Sequence, residues 1–148
     1  MKKTGKSTKK GFTLVELIVV LVILAVLAAM LVPGLIGYID RARAEKEYQT
    51  AATVYSAAQA VLTEMYAKDE LADDATAIAK GDFQQGTGDD ARDYALFLAG
   101  LEEDAVADYS FDFDSSTHII SGGTVTIGAA TYTLTITDGV PSWAGALD

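Results

Sequence analysis

Few residues of this 148-residue chain could do chemistry, and they are scattered. There is one histidine, His118, and no cysteine, which rules out a thiolate nucleophile and a thiolate metal site. His118 falls in a Thr- and Ile-rich stretch, with no Gly-x-Ser-x-Gly elbow and no metal-ligand spacing around it. Adjacent carboxylates are common, but among 21 acidic residues adjacency says little. The cluster Asp73, Asp74, Asp82, Asp89 and Asp90 lacks the alternating ligands and fixed glycine of an EF-hand loop, so a solvated acidic face is expected. No catalytic residue, metal or cofactor is expected. One carboxylate stands apart. Glu16 opens a run from Leu17 to Ile39 that holds no charged residue. A carboxylate costs about 2.5–3.5 kcal/mol at the centre of a membrane span and less toward its end, so Glu16 is expected to have a partner.

The run that positions Glu16 contains only Leu, Ile, Val, Ala and Met from Leu17 to Val32. About 20 such residues cross a bilayer as one helix. Residues 1–10 are polar and carry Lys2, Lys3, Lys6, Lys9 and Lys10. A secretory signal would place its apolar core before the cleavage site, whereas here the apolar run follows the charged leader. Five lysines precede the span and Arg41, Arg43 and Lys46 follow it, a bias that places the leader in the cytoplasm and the C-terminal part outside.

The stretch Gly11-Phe12-Thr13-Leu14-Val15-Glu16-Leu17, between a lysine-rich leader and a long apolar helix, resembles the type IV prepilin signature over about Lys9 to Val32. The resemblance implies that a prepilin peptidase cuts between Gly11 and Phe12 and that the new N-terminus at Phe12 is methylated. Glu16 then becomes the fifth residue of the mature chain. It also implies an assembly role for Phe12 and Glu16, in which the carboxylate meets the Phe12 ammonium. The two candidate sources are the subunit's own terminus and a neighbour's; the family expectation is the neighbour, or an assembly platform protein during insertion. Pro33 and Gly34 fall where many pilins break this helix. With Gly37 they lead us to expect a kink or a locally melted turn, which would extend as a subunit leaves the bilayer. The chain departs from pilins that close their C-terminal region with a disulfide, which favours a monoderm source or a disulfide-free subfamily.

The expected domains are a cleaved leader (1–11), a transmembrane or filament-core helix (12–39) and an extracytoplasmic globular domain (40–148). Without the five leader lysines, six bases remain against 21 acids, a formal charge of −15. Such a surface disfavours direct nucleic-acid binding. The absence of asparagine excludes an Asn-x-Ser/Thr glycan and leaves O-linked decoration open.

Beyond the span, Ala44, Tyr48, Ala51, Tyr55, Ala58, Leu62 and Met65 recur at spacings of four and three, which extends one amphipathic helix from Thr13 to about Ala67. That helix would be about 80 Å long at about 1.5 Å per residue, with half of it uncovered by one small domain. Tyr48, Tyr55 and Tyr66 are expected to pack in the core. Residues 68–88 should connect, with a short helix over Asp69–Ala79 and an exposed loop over Gly81–Gly88. A second helix is expected from Asp90 to about Leu101, capped by Asp89. The period then becomes two: Tyr109, Phe111 and Phe113 alternate with Ser110, Asp112 and Asp114. Strands are expected at His118–Ser121, Thr124–Ile127 and Thr131–Thr137, joined antiparallel by short glycine-bearing turns. Trp143 in the tail Val140–Asp148 is expected to tuck over the sheet.

The expected class is therefore α+β, a long N-terminal spine helix on a small antiparallel sheet, resembling the pilin fold. The implied function is structural rather than enzymatic. The chain would be a major pilin that polymerises with itself, held in the cytoplasmic membrane before assembly and in an extracellular type IV pilus after it. Prepilin peptidase, an assembly platform and minor pilins are its implied partners. Adhesion, twitching motility and biofilm formation are the implied surface functions. Two alternatives stand beside it: a major pseudopilin of a type II secretion-like or DNA-uptake system, and a signal-anchored domain that does not polymerise.

Overall fold

The computed structural model describes residues 11–86 and 91–145. The leader lysines, Asp89 and Asp90, and the last three residues of the tail lie outside them. Helix α1 spans Leu14–Ala67. By their contacts, residues up to Asp40 and residues Arg41–Asp148 form two compact units.

In the first unit every residue from Gly11 to Asp40 is exposed, most of them aliphatic. The helical assignment continues through Pro33, Gly34 and Gly37. No melted turn interrupts the helix at Pro33 and Gly34 in the single chain. A proline removes one amide donor and crowds one turn, and the helical bonds on either side of it are enough to carry the helix across.

In the second unit α1 becomes amphipathic. Ala44, Ala51, Ala58, Leu62 and Met65 are buried, as the four-three spacing predicts. Val54, Ala57 and Val61 are buried as well, a second row outside that stripe. The extra row belongs to the same cluster as Ala95, Leu96, Val106 and the inward face of the sheet, and the Tyr94 hydroxyl donates to Glu64 Oε2 on this helix at 2.7 Å. Fully burying a Val or Leu contributes about 1.5–3 kcal/mol, so Val54, Val61 and Leu62 anchor this half of the helix. Tyr48 and Tyr66 depart from their expected place in the core: both are exposed, Tyr55 is half-buried, and the Tyr66 ring stacks on His118 with centroids 3.8 Å apart.

The helix packs on a five-stranded antiparallel sheet of β1 (Ala77–Ala79), β4 (Asp108–Asp114), β5 (Ile119–Ile127), β6 (Ala130–Thr137) and β7 (Val140–Ala144), in the order β1-β4-β5-β6-β7. A two-stranded ladder of β2 (Gln84–Gln85) and β3 (Arg92–Asp93) leads into α2 (Tyr94–Ala99). Along β4, Tyr109, Phe111 and Phe113 are buried while Asp108, Asp112 and Asp114 face water, as the period of two requires. The layout is α+β and pilin-like.

Four local expectations are corrected. The short helix over Asp69–Ala79 is replaced by turns and by β1. Asp69 takes a left-handed φ of 60°, and pairing with β4 buries Ile78 beside Phe111. The loop over Gly81–Gly88 carries β2. The second helix starts at Tyr94, not Asp90, because Arg92 and Asp93 are held by the β2–β3 ladder. Asp93 is its cap, accepting from Leu96 N at 2.9 Å, and Gly100 closes it with a left-handed φ of 68°. The fourth correction concerns Gly122-Gly123, which does not turn the chain. β5 continues through it, with a register shift against β4 at Ser121, and His118 sits in the preceding turn at φ 54°.

Gly123 is paired with Phe111, and a Cβ built on it would lie 2.6–2.7 Å from Phe111 and against the Ser110 carbonyl. Here glycine provides close approach of two strands. The turn at Asp138-Gly139 does behave as its sequence predicts, with φ of 53° and 78° as in a type I′ hairpin. It sends the tail back as β7, so Trp143 belongs to an edge strand. Its ring meets Tyr48 and Tyr55 edge-on at 6.5 and 6.4 Å.

Two outcomes follow from the sheet. Gly123→Ala should destabilise the chain by about 1–3 kcal/mol through overpacking, measurable as a lowered thermal midpoint in detergent. The β4–β5 turn is held by Asp114, whose carboxylate accepts from the Ser116 hydroxyl and from the Thr117 and Ser116 amides. These bonds, the Ser116 hydroxyl first, lower its pKa to about 2. A depressed folded-state pKa stabilises the protein above the ordinary carboxyl range, and that contribution is lost as pH falls through about 2. A carboxyl-carbon titration should give a midpoint near that value, returning to the usual Asp range on unfolding.

Candidate processing and assembly site

Gly11, Phe12 and Thr13 precede the helix in backbone without regular structure, and all three are exposed. Phe12 is 87% exposed, and nothing lies within 4 Å of a Cβ built on Gly11. The Gly11–Phe12 peptide bond is therefore open to attack, since a protease needs an extended bond outside a hydrogen-bonded helix.

Thr13 starts the helix. Leu17 N donates to the Thr13 carbonyl at 3.2 Å, the first bond of the α ladder. Two further bonds close a reciprocal cap: Glu16 N donates to Thr13 Oγ1 at 3.2 Å, and Thr13 N donates to Glu16 Oε2 at 2.8 Å. This is the capping box, in which a Thr and a Glu three residues apart satisfy two amides that the first turn leaves orphaned. The carboxylate expected to need a partner thus already has one within its own chain. Thr13 is a working residue outside the expected set, and its signal in the sequence is the Thr-x-x-Glu spacing ahead of the apolar run.

Gly11, Phe12, Thr13 and Glu16 line one shallow open hollow. Beyond it Phe12, Val15, Glu16, Leu17, Val19, Val20 and Leu21 line an open apolar face. The one polar group of the first helical turn therefore sits at the end of an uncovered hydrocarbon surface. Pro33 and Gly34 lie on the same helix more than four turns further on, in open surroundings.

The other candidates do not join this site. Among the described residues no three His, Asp or Glu side chains are grouped to hold a metal ion. Asp73, Asp74 and Asp82 are exposed, and Asp82 caps a turn by accepting from Ala79 N at 2.7 Å. One carboxylate that sequence reasoning passed over is buried. Asp93, 2% exposed, accepts from Gly81 N at 2.7 Å, Leu96 N at 2.9 Å and the Tyr109 hydroxyl at 2.9 Å. It ties the β2 loop, α2 and β4 together, and burial together with this carboxylate pushes the Tyr109 hydroxyl far up. Elsewhere Tyr132 donates to Glu47 Oε2 on α1 at 2.6 Å, and burial followed by that bond pushes it up to about 12. Both are clamps between elements; Asp93 also borders an open hollow with Arg92, Glu102 and Glu103, but its oxygens are already engaged by Gly81, Leu96 and Tyr109.

Residues 6–32 match the family model of the prokaryotic N-terminal methylation motif. This is the type IV prepilin signal, and it implies processing by prepilin peptidase and pilin-type assembly. No curated protein and no solved structure matches the chain. The motif and the apolar helix are consistent with a membrane-anchored precursor.

Thr13→Val should remove the hydroxyl half of the cap, at a cost of about 0.5–2 kcal/mol to the first turn. Amide exchange in micelles should accelerate at residues 14–17 and be unchanged beyond the second turn.

Proposed function

We propose that this chain is the major structural subunit of a type IV pilus, processed after Gly11 and polymerised through its N-terminal helix. One observation carries the reading: behind a prepilin signal, every residue from Phe12 to Asp40 is exposed. Apolar surface on this scale is covered either by lipid or by copies of itself. A precursor has the first cover and a filament the second. The subunit's work is mechanical, and no side chain in it is proposed to catalyse a reaction.

Cleavage changes the chemistry at Glu16. It gives Phe12 an ammonium, which methylation leaves charged, one residue before the Thr13 amide that now holds Glu16. Between packed apolar helices an unpaired charge is costly, so an axial stagger that brings a neighbour's ammonium to Glu16 is rewarded over others. The capping box supports this order of events. Before cleavage it keeps the carboxylate satisfied without a cation, and after cleavage the carboxylate exchanges a backbone amide for a charged donor, the stronger bond. The acidic remainder of the chain suits a fibre exposed to solvent.

The test is expression with a prepilin peptidase and assembly machinery, followed by the N-terminal mass of fibres sheared from the surface. A mature chain beginning at methylated Phe12 is expected. Removing one member of a buried pair costs about 3–5 kcal/mol, so Glu16→Ala should be cleaved normally yet yield almost no fibres. An uncut chain confined to the membrane would sink the proposal.

A further inference from the structure

Thr13 follows directly on the bond that the prepilin signal marks for cleavage, and its hydroxyl decides where α1 begins. The first amides of a helix have no carbonyl ahead of them, and beside hydrocarbon water is a scarce partner. Such a helix satisfies them by growing one turn upstream. Here that growth would give the Glu16 amide to the Phe12 carbonyl and the Val15 amide to the Gly11 carbonyl, each four residues back. The Gly11 carbonyl belongs to the scissile bond itself. Hydrolysis adds water at that carbonyl carbon and breaks the bond to the Phe12 nitrogen. Gly11 keeps the new C–O bond as a carboxyl group, and the Phe12 nitrogen takes the proton.

In the structure this growth is stopped. Glu16 N is taken by Thr13 Oγ1 at 3.2 Å, Leu17 N makes the first α bond to the Thr13 carbonyl, and residues 11–13 stay outside the helix. Packing does not impose the boundary. Among the described residues nothing lies within 4 Å of a Cβ built on Gly11, and Phe12 is exposed, so a further turn has room to form. The Thr13 hydroxyl therefore holds the boundary. The carboxylate half of the cap matters less to it, because Thr13 N stands ahead of the first turn on an exposed residue, where water can replace Glu16.

We infer that Thr13 is a positioning residue for processing: by capping α1 it keeps the Gly11 carbonyl out of the helical ladder and presents it to the peptidase. This role rests on the proposal that the chain is cut after Gly11, and it names the residue that makes the chain a competent substrate. Its chemistry is that of a cap, so any good capping residue at position 13 serves it. Without the hydroxyl the helix start alternates between an open first turn and a turn grown back over Gly11. Only a fraction of the molecules then offers the bond. A smaller competent fraction raises the apparent dissociation constant in proportion and leaves the bound complex unaltered.

The experiment follows cleavage of the full-length chain by a purified prepilin peptidase in proteoliposomes. Thr13→Val keeps the side-chain shape and removes the hydroxyl, so KM should rise about three- to tenfold with kcat unchanged. Thr13→Ser and Thr13→Asn differ in shape from threonine but both cap, and each should be cut with the wild-type KM. A second readout needs no enzyme. In the uncut, isotope-labelled chain the Gly11 carbonyl-carbon shift should move toward its helical value in Thr13→Val and stay in place in the Ser and Asn variants. A Thr13→Val chain cut with the wild-type KM and an unmoved Gly11 shift would overturn this role. Ser and Asn variants as slow as Val, or a loss in kcat alone, would assign Thr13 to direct recognition by the peptidase and also overturn it. Each of these results leaves the wild-type chain cut after Gly11 and the processing proposal standing, whereas a wild-type chain left uncut would remove both.

Discussion

The uncovered apolar surface from Phe12 to Ile39 is the constraint on which everything else depends. A helix that is hydrophobic all round has no stable place in water. The remaining chain supplies what such a segment needs: a start that satisfies its first turn, a charge that can specify how copies align, and a soluble body beyond it. The body is acidic, and its core is made by the same helix once the sequence becomes amphipathic near Ala44.

In the filament we propose, Glu16 is a costly group that serves two states. As the third helical residue, closing a capping box, it satisfies the Thr13 amide. That bond is local and independent of any neighbour. An ammonium delivered at the right height offers a stronger, charge-assisted bond in the same place. The difference between the two is what can select a stagger, because a mismatched neighbour leaves the ammonium unpaired without greatly disturbing the carboxylate. On that proposal the cap lowers the cost of the waiting state and leaves the charged bond preferred in the assembled one.

The second unit is held by packing with a few directional ties. Val54, Val61 and Leu62 meet Phe111, Ile120, Val125 and Leu134 in one cluster. The ties sit where irregular segments must be fixed to it: Asp93 gathers three donors around the α2 cap, Glu47 holds Tyr132, and Gln59 bridges to the β4–β5 turn by donating to the His118 carbonyl at 2.9 Å and accepting from Ile120 N at 2.8 Å. Each satisfies backbone or phenol groups that burial would otherwise leave costly.

The sequence by itself determined the apolar helix, the prepilin signal with Gly11, Phe12 and Glu16, the alternation of β4, the hairpin at Asp138-Gly139 and the α+β class. These are local or periodic features: a span is a count of apolar residues, a strand face is a period of two, and a type I′ turn needs particular residues at two positions. Only tertiary structure decided whether Ala77–Ala79 would be helix or strand, since that rested on an open edge of β4. It also decided that Gly122-Gly123 continues β5 rather than turning it, because the reason for glycine there is Phe111 on another strand. Asp93 was illegible for the same reason. Its donors come from Gly81, Leu96 and Tyr109, and the burial that makes it matter exists only once those three segments meet.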